Sequence, residues 1–573
     1  MMNTQEIDQA VADLQYHKQG WARLPISEKI KLFEGVRARA NTAAEAWVDA
    51  AAYAKGIPSD SPLTGEEWSS GPWALVSTIT EVLDTLEKLD FGDRKRLKPT
   101  GIRTRADGQV VAKVFPASAF DWLLLNGITA EVWMEPGVTA GGLRDTMAVF
   151  YDQKDPEGAV ALVLGAGNIS SITPLDVLYK MVAEGQVCIV KMNPINQYLG
   201  PIFEEIFAEL IDLGFIRFVY GGADVGAYLT NHPGVDEIHM TGSDRTFNAI
   251  VFGMGAEGEE RRKKNQPINT RPISAELGGV GPTIVLPGPW SAADIRFQAE
   301  HVVTQKLHNT GCNCVASQLL ILPKDWDQAD DFLAAVKEVM GEQVVRKAYY
   351  PGMGERQAQA VEWHPEAELL DAAAGPEVPK TMICGLDPKA VDEPCFSEEF
   401  FGATYAQTSL PGETALEFLN NAVTFCNHKL AGTLGVNLII HPTTIKVLGP
   451  ELEESIAALK YGSIGINSWV ALGYLLARAT WGAYPGHPDS DIQSGRGVVH
   501  NTLLFDKPQK TVVYAPFMPF PRAVMHGEFH MTPKPPWFVT NKTAHITSRR
   551  LTRFSARPGW RHLPGIFAAA LRG

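Results

Sequence analysis

The sequence predicts an open, mostly parallel α/β sheet. Three observations carry that prediction. Residues 159–165, AVALVLG, form a continuous apolar run, as a strand buried on both faces requires. Strand-like and helix-like stretches then alternate for some eighty residues. Polar, glycine-containing clusters follow the apolar runs, where such a sheet turns from strand to helix.

The elements follow in order. Residues 1–90 read as helical. Leu24-Pro25-Ile26-Ser27 offers a cap, and Ile30, Leu32, Phe33 and Val36 recur at helical spacing. Residues 95–150 read as strand-rich, with alternation in Gln109-Val110-Val111-Ala112-Lys113-Val114. After AVALVLG come the turn Gly165-Ala166-Gly167-Asn168 and a helix over PLDVLYKMVAEG, with Pro174 suited to its first turn. A strand (QVCIVK), a helix (YLGPIFEEIFAELIDLG), a strand (FIRFVYGG), a short helix and a strand (VDEIHMTGS) complete the run. Such connections are right-handed crossovers between parallel strands.

Composition narrows the function. The chain has 573 residues with 51 Lys+Arg against 65 Asp+Glu, a net charge of −14. That balance argues against a nucleic-acid partner. With 45% apolar and 20% charged residues it is globular and long enough for several domains. There is neither a transmembrane-length apolar run nor a secretory leader in MMNTQEIDQAVADLQYH. Six scattered cysteines fit reduced thiols, and a cytoplasmic location is expected.

Ligands of an open parallel sheet bind beyond the carboxyl ends of its strands. Gly165 to Asn168, Lys191 to Pro194, and Thr241-Gly242-Ser243 fall there. A Gly-Ser turn that opens a helix suits phosphate, because free N–H groups and the helix dipole point outward. A lysine at a strand end suits a ribose or phosphate, so together they suggest a nucleotide. The dinucleotide fingerprint itself is not met: Ile169 and Ser170 stand where a third glycine belongs, and the second strand ends in Lys191, not an acid.

Further on stand ISAELGG (273–279), HNTGCNCVASQ (308–318), SEEFFGA (397–403), GSIGIN (462–467) and SGRG (494–497). In this order, with Asn168, Lys191 and TGS upstream, they resemble the aldehyde dehydrogenase superfamily over about residues 25–515. The resemblance implies two Rossmann-like parallel-sheet domains, cofactor-binding and catalytic, plus a β oligomerisation arm. The expected division is 1–276 for the cofactor domain, with an arm segment at about 128–155. Residues 277–481 form the catalytic domain, 482–517 the return and arm, and 518–573 a basic extension. The implied partners are a small aldehyde, of hydrophobic character, and further copies of the chain in a homodimer or homotetramer.

The resemblance assigns roles. Cys314 is the nucleophile, since a thiolate adds readily to a carbonyl; Cys312 stands where many members carry glutamine. Asn168 donates to the developing oxyanion, with Gly167 in place of the family's tryptophan. Glu276 is the general base that activates water against a thioester, and its apolar setting should raise its pKa. Glu399 and Phe401 position the nicotinamide end, Lys191 the adenine ribose, and Thr241, Gly242 and Ser243 the pyrophosphate. Pro194 replaces a glutamate common in NAD-preferring members, so NAD or NADP is expected. Phe247 replaces a usual glycine. No metal is expected, because Cys312 and Cys314 lack a second ligand pair at zinc spacing. A resolving role for Cys312 toward an oxidised Cys314 is a further expectation.

The leading reading is therefore NAD(P)-dependent oxidation of an aldehyde to an acid through a cysteine thiohemiacetal and thioester. A coenzyme A-acylating dehydrogenase or acyl-CoA reductase is the alternative within enzymes. A non-catalytic relative used for binding or assembly is the alternative outside them. Two segments have no counterpart in this scheme. One is 116–135, aromatic and aliphatic, either a tunnel lining or core. The other is the tail from Phe529 to Gly573, with eight Lys+Arg and no acid. It is expected to strap onto the acidic body; weak contact with an anionic membrane is the lesser alternative.

Overall fold

The computed structural model describes residues 4–91 and 96–573. Residues 1–3 and 92–95 of the expected N-terminal unit lie outside the described residues. The N-terminal region forms the helices Thr4–Ala22, Ile26–Lys55, Thr64–Trp68 and Ala74–Asp90. The second of these starts one residue before Ser27, behind Pro25, with no side-chain cap. Proline's fixed φ presets the turn without a hydroxyl acceptor. The helix ends on Gly56 in the left-handed conformation, which satisfies its last carbonyls.

Two sheets organise the rest. The smaller has six strands in the order Gly495–Arg496, Ile273–Leu277, Glu237–Gly242, Val160–Leu164, Val187–Lys191, Ile216–Val219. All neighbours are parallel except the first pair. Val160–Leu164 lies between strands that follow it on either side, so the chain order reverses there and a crevice opens at the carboxyl edge. The second expected helix breaks at Phe207, into Gly200–Ile206 and Ala208–Asp212.

The larger sheet has eleven strands. Its parallel centre is Pro508–Tyr514, Ser463–Ile466, Gly435–Ile439, Gly281–Val285, Ser317–Pro323, Thr404–Leu410 and Thr381–Leu386. Glu368–Leu369 closes one edge. At the other, Gly101–Thr104, Val110–Phe115 and Thr129–Met134 form an antiparallel meander on Pro508–Tyr514. The two segments expected as an arm thus pair with each other and extend this sheet in one continuous surface.

The tail folds back on the body as the helices Ala544–Ala556 and Leu563–Ala570. Phe538 stacks on Phe297 and His301, with ring centroids 5.4 and 5.2 Å away. Arg549 and Arg553 both meet Glu45, and Lys534 meets Glu300. In the 116–135 segment, Phe120 packs on Phe554 and Trp560 of the tail. The insert around 257–264 is a solvated helix, Gly255–Lys263, held by Glu–Arg pairs one turn apart. Among the described residues no helix is long and apolar enough to cross a membrane.

Candidate active site

Strand register assembles the site's first wall. Leu164 pairs with Lys191 on one side and Met240 on the other, and Thr241 pairs with Glu276. The turn after Leu164, the end of the Lys191 strand, the Thr241–Ser243 corner and Glu276 therefore share one edge of the small sheet. The helix Ala292–Leu307 delivers the second wall. After it, Asn309, Thr310 and Gly311 all take positive φ (55°, 60° and 79°). Such a run is costly for a β-branched threonine and persists only where its surroundings hold it. It turns Cys314 back toward the small sheet.

Cys314 Sγ donates to Glu276 Oε1 at 3.1 Å. Burial pushes the Glu276 carboxyl up to about 7, and the charge of Asp176 adds to the rise. The Cys314 thiol, Trp481 and His239 act against it. Burial and then the Glu276 charge push the Cys314 thiol well above its ordinary value. The pair thus rests as a neutral thiol beside a base whose proton affinity matches neutral pH. Tyr474 and Trp481 stack edge-on beside them, ring centroids 5.4 Å apart.

Cys312 lies elsewhere. Its Sγ faces Met353 Sδ and the Phe401 carbonyl, each at 3.5 Å, and burial raises it to about 12. A thiol packed there among Met353, Val378 and Phe401 does not present itself to Cys314, which counts against the resolving role.

Asn168 reaches the nucleophile loop, where its Nδ2 donates to the Cys312 carbonyl at 3.0 Å. Its own carbonyl accepts from Lys55 Nζ, Asn309 Nδ2 and Tyr349 Oη at 3.2, 3.2 and 3.3 Å. Gly167 packs against Asn193, whose Oδ1 a β-carbon there would meet at 2.8 Å. The departure from tryptophan thus matches a close approach of two turns.

Beneath the loop lies a buried ionic network that the motifs do not announce. Lys55 Nζ pairs with Glu67 at 2.8 Å and donates to Asn309 Oδ1 at 2.9 Å. Glu66 pairs with Arg346 at 2.8 Å and accepts from the Asn309 N–H at 3.0 Å. A charged pair kept dry depends on hydrogen bonds from its surroundings, and Asn309 in the strained loop supplies one to each pair. The one sequence signal was the adjacent acids Glu66-Glu67 in an otherwise apolar helix.

The presumptive cofactor residues divide. Ser243 caps the helix Asp244–Phe252 and is exposed, as Gly242 is. Thr241 instead turns inward, donating to Asp176 Oδ2 at 3.2 Å. Lys191 is nearly buried at its strand end, and burial lowers its pKa against the charge of Asp224. Phe247 fills a pocket of Met240, Val251, Phe252, Ala275 and Leu277, so its bulk points into the core. Phe401 has φ 44° and packs on Tyr350 at 4.8 Å. Glu399 sits on the glycine turn after Glu276: Gly279 N–H bonds it, and burial raises it to about 8. Its buried Oε1 has no partner in the protein. An unfilled acceptor there, with the exposed Gly242-Ser243 corner, fits hydroxyl and phosphate groups of a dinucleotide.

The sequence model of the aldehyde dehydrogenase family matches residues 136–353, which hold the Asn168 turn, Lys191, TGS, Glu276 and Cys314. Over that segment the chain is similar to the aldehyde dehydrogenase family. Among curated relatives, an N-succinylglutamate 5-semialdehyde dehydrogenase of Sphingopyxis alaskensis is 29% identical over 207 residues. That alignment covers 36% of this chain and 38% of the relative, so the chain matches well under half of that relative's length. The fold extends further. The NADP complex of an NADP-dependent glyceraldehyde-3-phosphate dehydrogenase from Bacillus halodurans superposes with a TM-score of 0.59 at 18% identity, over 89% of this chain and 91% of that one. An aldehyde dehydrogenase C variant from Pseudomonas syringae, with NAD+ and octanal, gives 0.56 at 16% identity, over 90% and 89%.

Proposed function

We propose that the protein oxidises an aldehyde to the free carboxylic acid with NAD or NADP, through a covalent adduct on Cys314. The observation that carries this reading is the 3.1 Å, part-buried contact between Cys314 Sγ and Glu276 Oε1. Glu276, poised near neutrality, takes the thiol proton, and the sulfur adds to the aldehyde carbon. The Asn168 side-chain amide, through the N–H not engaged by Cys312, and the Cys314 backbone N–H would stabilise the oxyanion of the thiohemiacetal. A bound nicotinamide supplies the hydride acceptor. Glu399, Lys191, Gly242 and Ser243 would hold that cofactor by its hydroxyl and phosphate groups, Thr241 by its backbone and Phe401 by packing. Once the adduct is a thioester and Glu276 has released the first proton to solvent, Glu276 removes a proton from the water that attacks the acyl carbon and passes it to the departing thiolate.

The position of Glu276 favours water over coenzyme A as the acyl acceptor, because a base already in place makes hydrolysis fast. A hydrophobic aldehyde suits a pocket walled by Tyr474 and Trp481; the Pseudomonas syringae protein that shares the fold was solved with octanal. Homo-oligomer assembly and a cytoplasmic site of action complete the proposal.

One experiment tests it. A panel of aldehydes is screened with NAD and NADP, with and without coenzyme A, by absorbance of the reduced cofactor. Reduction that needs no coenzyme A and vanishes in Cys314→Ala is expected. Unchanged reduction in Cys314→Ala overturns the reading, and a strict need for coenzyme A replaces hydrolysis with acyl transfer.

A further inference from the structure

A buried acid lies behind the general base with no part in the chemistry described. Asp176 projects from the helix Ile172–Ala183 onto the small sheet and is 1% exposed. Its Oδ2 accepts from Thr241 Oγ1 at 3.2 Å and lies 3.3 Å from His239 Nε2. His239 Nδ1 bonds Ser274 Oγ at 2.9 Å, and this turns Nε2 toward the Asp176 carboxylate without a hydrogen bond between them. Register completes the geometry. His239 pairs with Ser274 and Thr241 with Glu276, and residues two apart on a strand share a face. Glu276, Ser274, Thr241, His239 and Asp176 therefore occupy one face of two adjacent strands, under one helix.

We propose that Asp176, held by Thr241 and faced by His239, is a positioning residue for Glu276, acting on the base through its charge across this sheet face. The inference rests on reading Glu276 as the general base. A fixed anion near a carboxylate makes the second charge harder to form, so the base binds its proton more tightly. An acid in an apolar setting without such a neighbour depends on burial alone; here Asp176 lies under the same sheet face. The groups that act on Glu276 come from several elements packed around it. Asp176 comes from the covering helix and His239 from the neighbouring strand. Cys314 comes from the nucleophile loop, and Tyr474 and Trp481 from the opposite wall. Asp176 and His239 act on Glu276 with opposite sign, the first raising its pKa and the second lowering it.

The test needs no substrate. Iodoacetamide alkylation of Cys314 is followed against pH by mass spectrometry of its peptide, in wild type, Glu276→Gln, Asp176→Asn and His239→Gln. The wild type should show an inflection that Glu276→Gln abolishes. Asp176→Asn should move it down by about one pH unit, and His239→Gln should move it up. An inflection that stays in place in Asp176→Asn overturns the proposal, as does a His239→Gln shift in the same direction as Asp176→Asn. Should Asp176→Asn fail to fold, the sign for His239→Gln alone decides. An intact inflection in a protein that oxidises no aldehyde would reject the proposed activity and leave this assignment standing. An activity without any Glu276 inflection would do the reverse.

Discussion

The Glu399 carboxylate occupies the space a side chain on Gly278 would need: a β-carbon there would stand 2.2 Å from Glu399 Oε2. Two motifs some 120 residues apart are thus one object, a carboxylate seated on a glycine turn. Gly278→Ala should evict Glu399. Losing a charge-assisted hydrogen bond of ~1.5–3 kcal/mol should raise the KM for the nicotinamide cofactor about tenfold or more. Steady-state titration checks it, and an unchanged KM would remove Glu399 from the cofactor site.

As the proposed base, Glu276 should make the reaction pH-dependent. With its carboxyl near 7, the base is protonated below neutrality, so the rate should fall as pH drops through 7. Glu276→Gln should lose that acid limb and about 10²–10⁴ in turnover. A pH–rate profile unaltered by the change would exclude Glu276 as the base.

The same carboxyl affects folding. Its folded pKa is raised, so its contribution to stability is full below the ordinary carboxylate range and is lost as pH rises through about 7. Glu276→Gln should therefore be more stable than wild type at pH 8, by up to ~3 kcal/mol, and lose that advantage at pH 4. Denaturant melts at the two pH values measure it; an equal difference at both would contradict the raised pKa.

Lys55→Met should strand Glu67 without its cation at the base of the nucleophile loop. Breaking a buried pair this way costs ~3–5 kcal/mol. The double change Lys55→Met with Glu67→Leu should recover much of that stability. It should not recover turnover, because Asn309 and Asn168 both lose the ammonium that fixes them. Recovery of full turnover would reduce the network to a structural one.

The tail should behave as part of the body. Phe538→Ala removes a ring stacked between Phe297 and His301 and should cost ~3–5 kcal/mol by denaturant unfolding. Anionic vesicles should bind little of the intact protein, since Arg549, Arg553 and Lys534 already face carboxylates. Strong sedimentation with vesicles would show the tail able to leave its seat.

What could be read in advance was local. The apolar run at 160–164 and the glycine turn after it specify a buried strand and its exit, since both depend on neighbours along the chain. Cys314 and Glu276 were legible because their short contexts, GCNC and AELGG, are themselves distinctive. Ser27 misled, because proline starts that helix without a hydroxyl. The direction of Phe247 could not be read at all, because packing sets it, and it points into the core.

Asp176, His239, Lys55 and the Glu66-Glu67 pair carried no such mark. An aspartate within PLDVLYK reads as an ordinary helix acid, and a lysine at a helix end as a solvated charge. Each gains its meaning from a partner reached only after folding: Lys55 from Asn309, Asp176 from His239 and Glu276. Residue order along the chain therefore dictated the sheet strands and marked out Cys314 and Glu276, the thiol and base we propose, through short-range pattern. Proton affinity, dryness and the direction of each side chain waited on the packed molecule, because burial and charge act through space between residues that the chain keeps far apart.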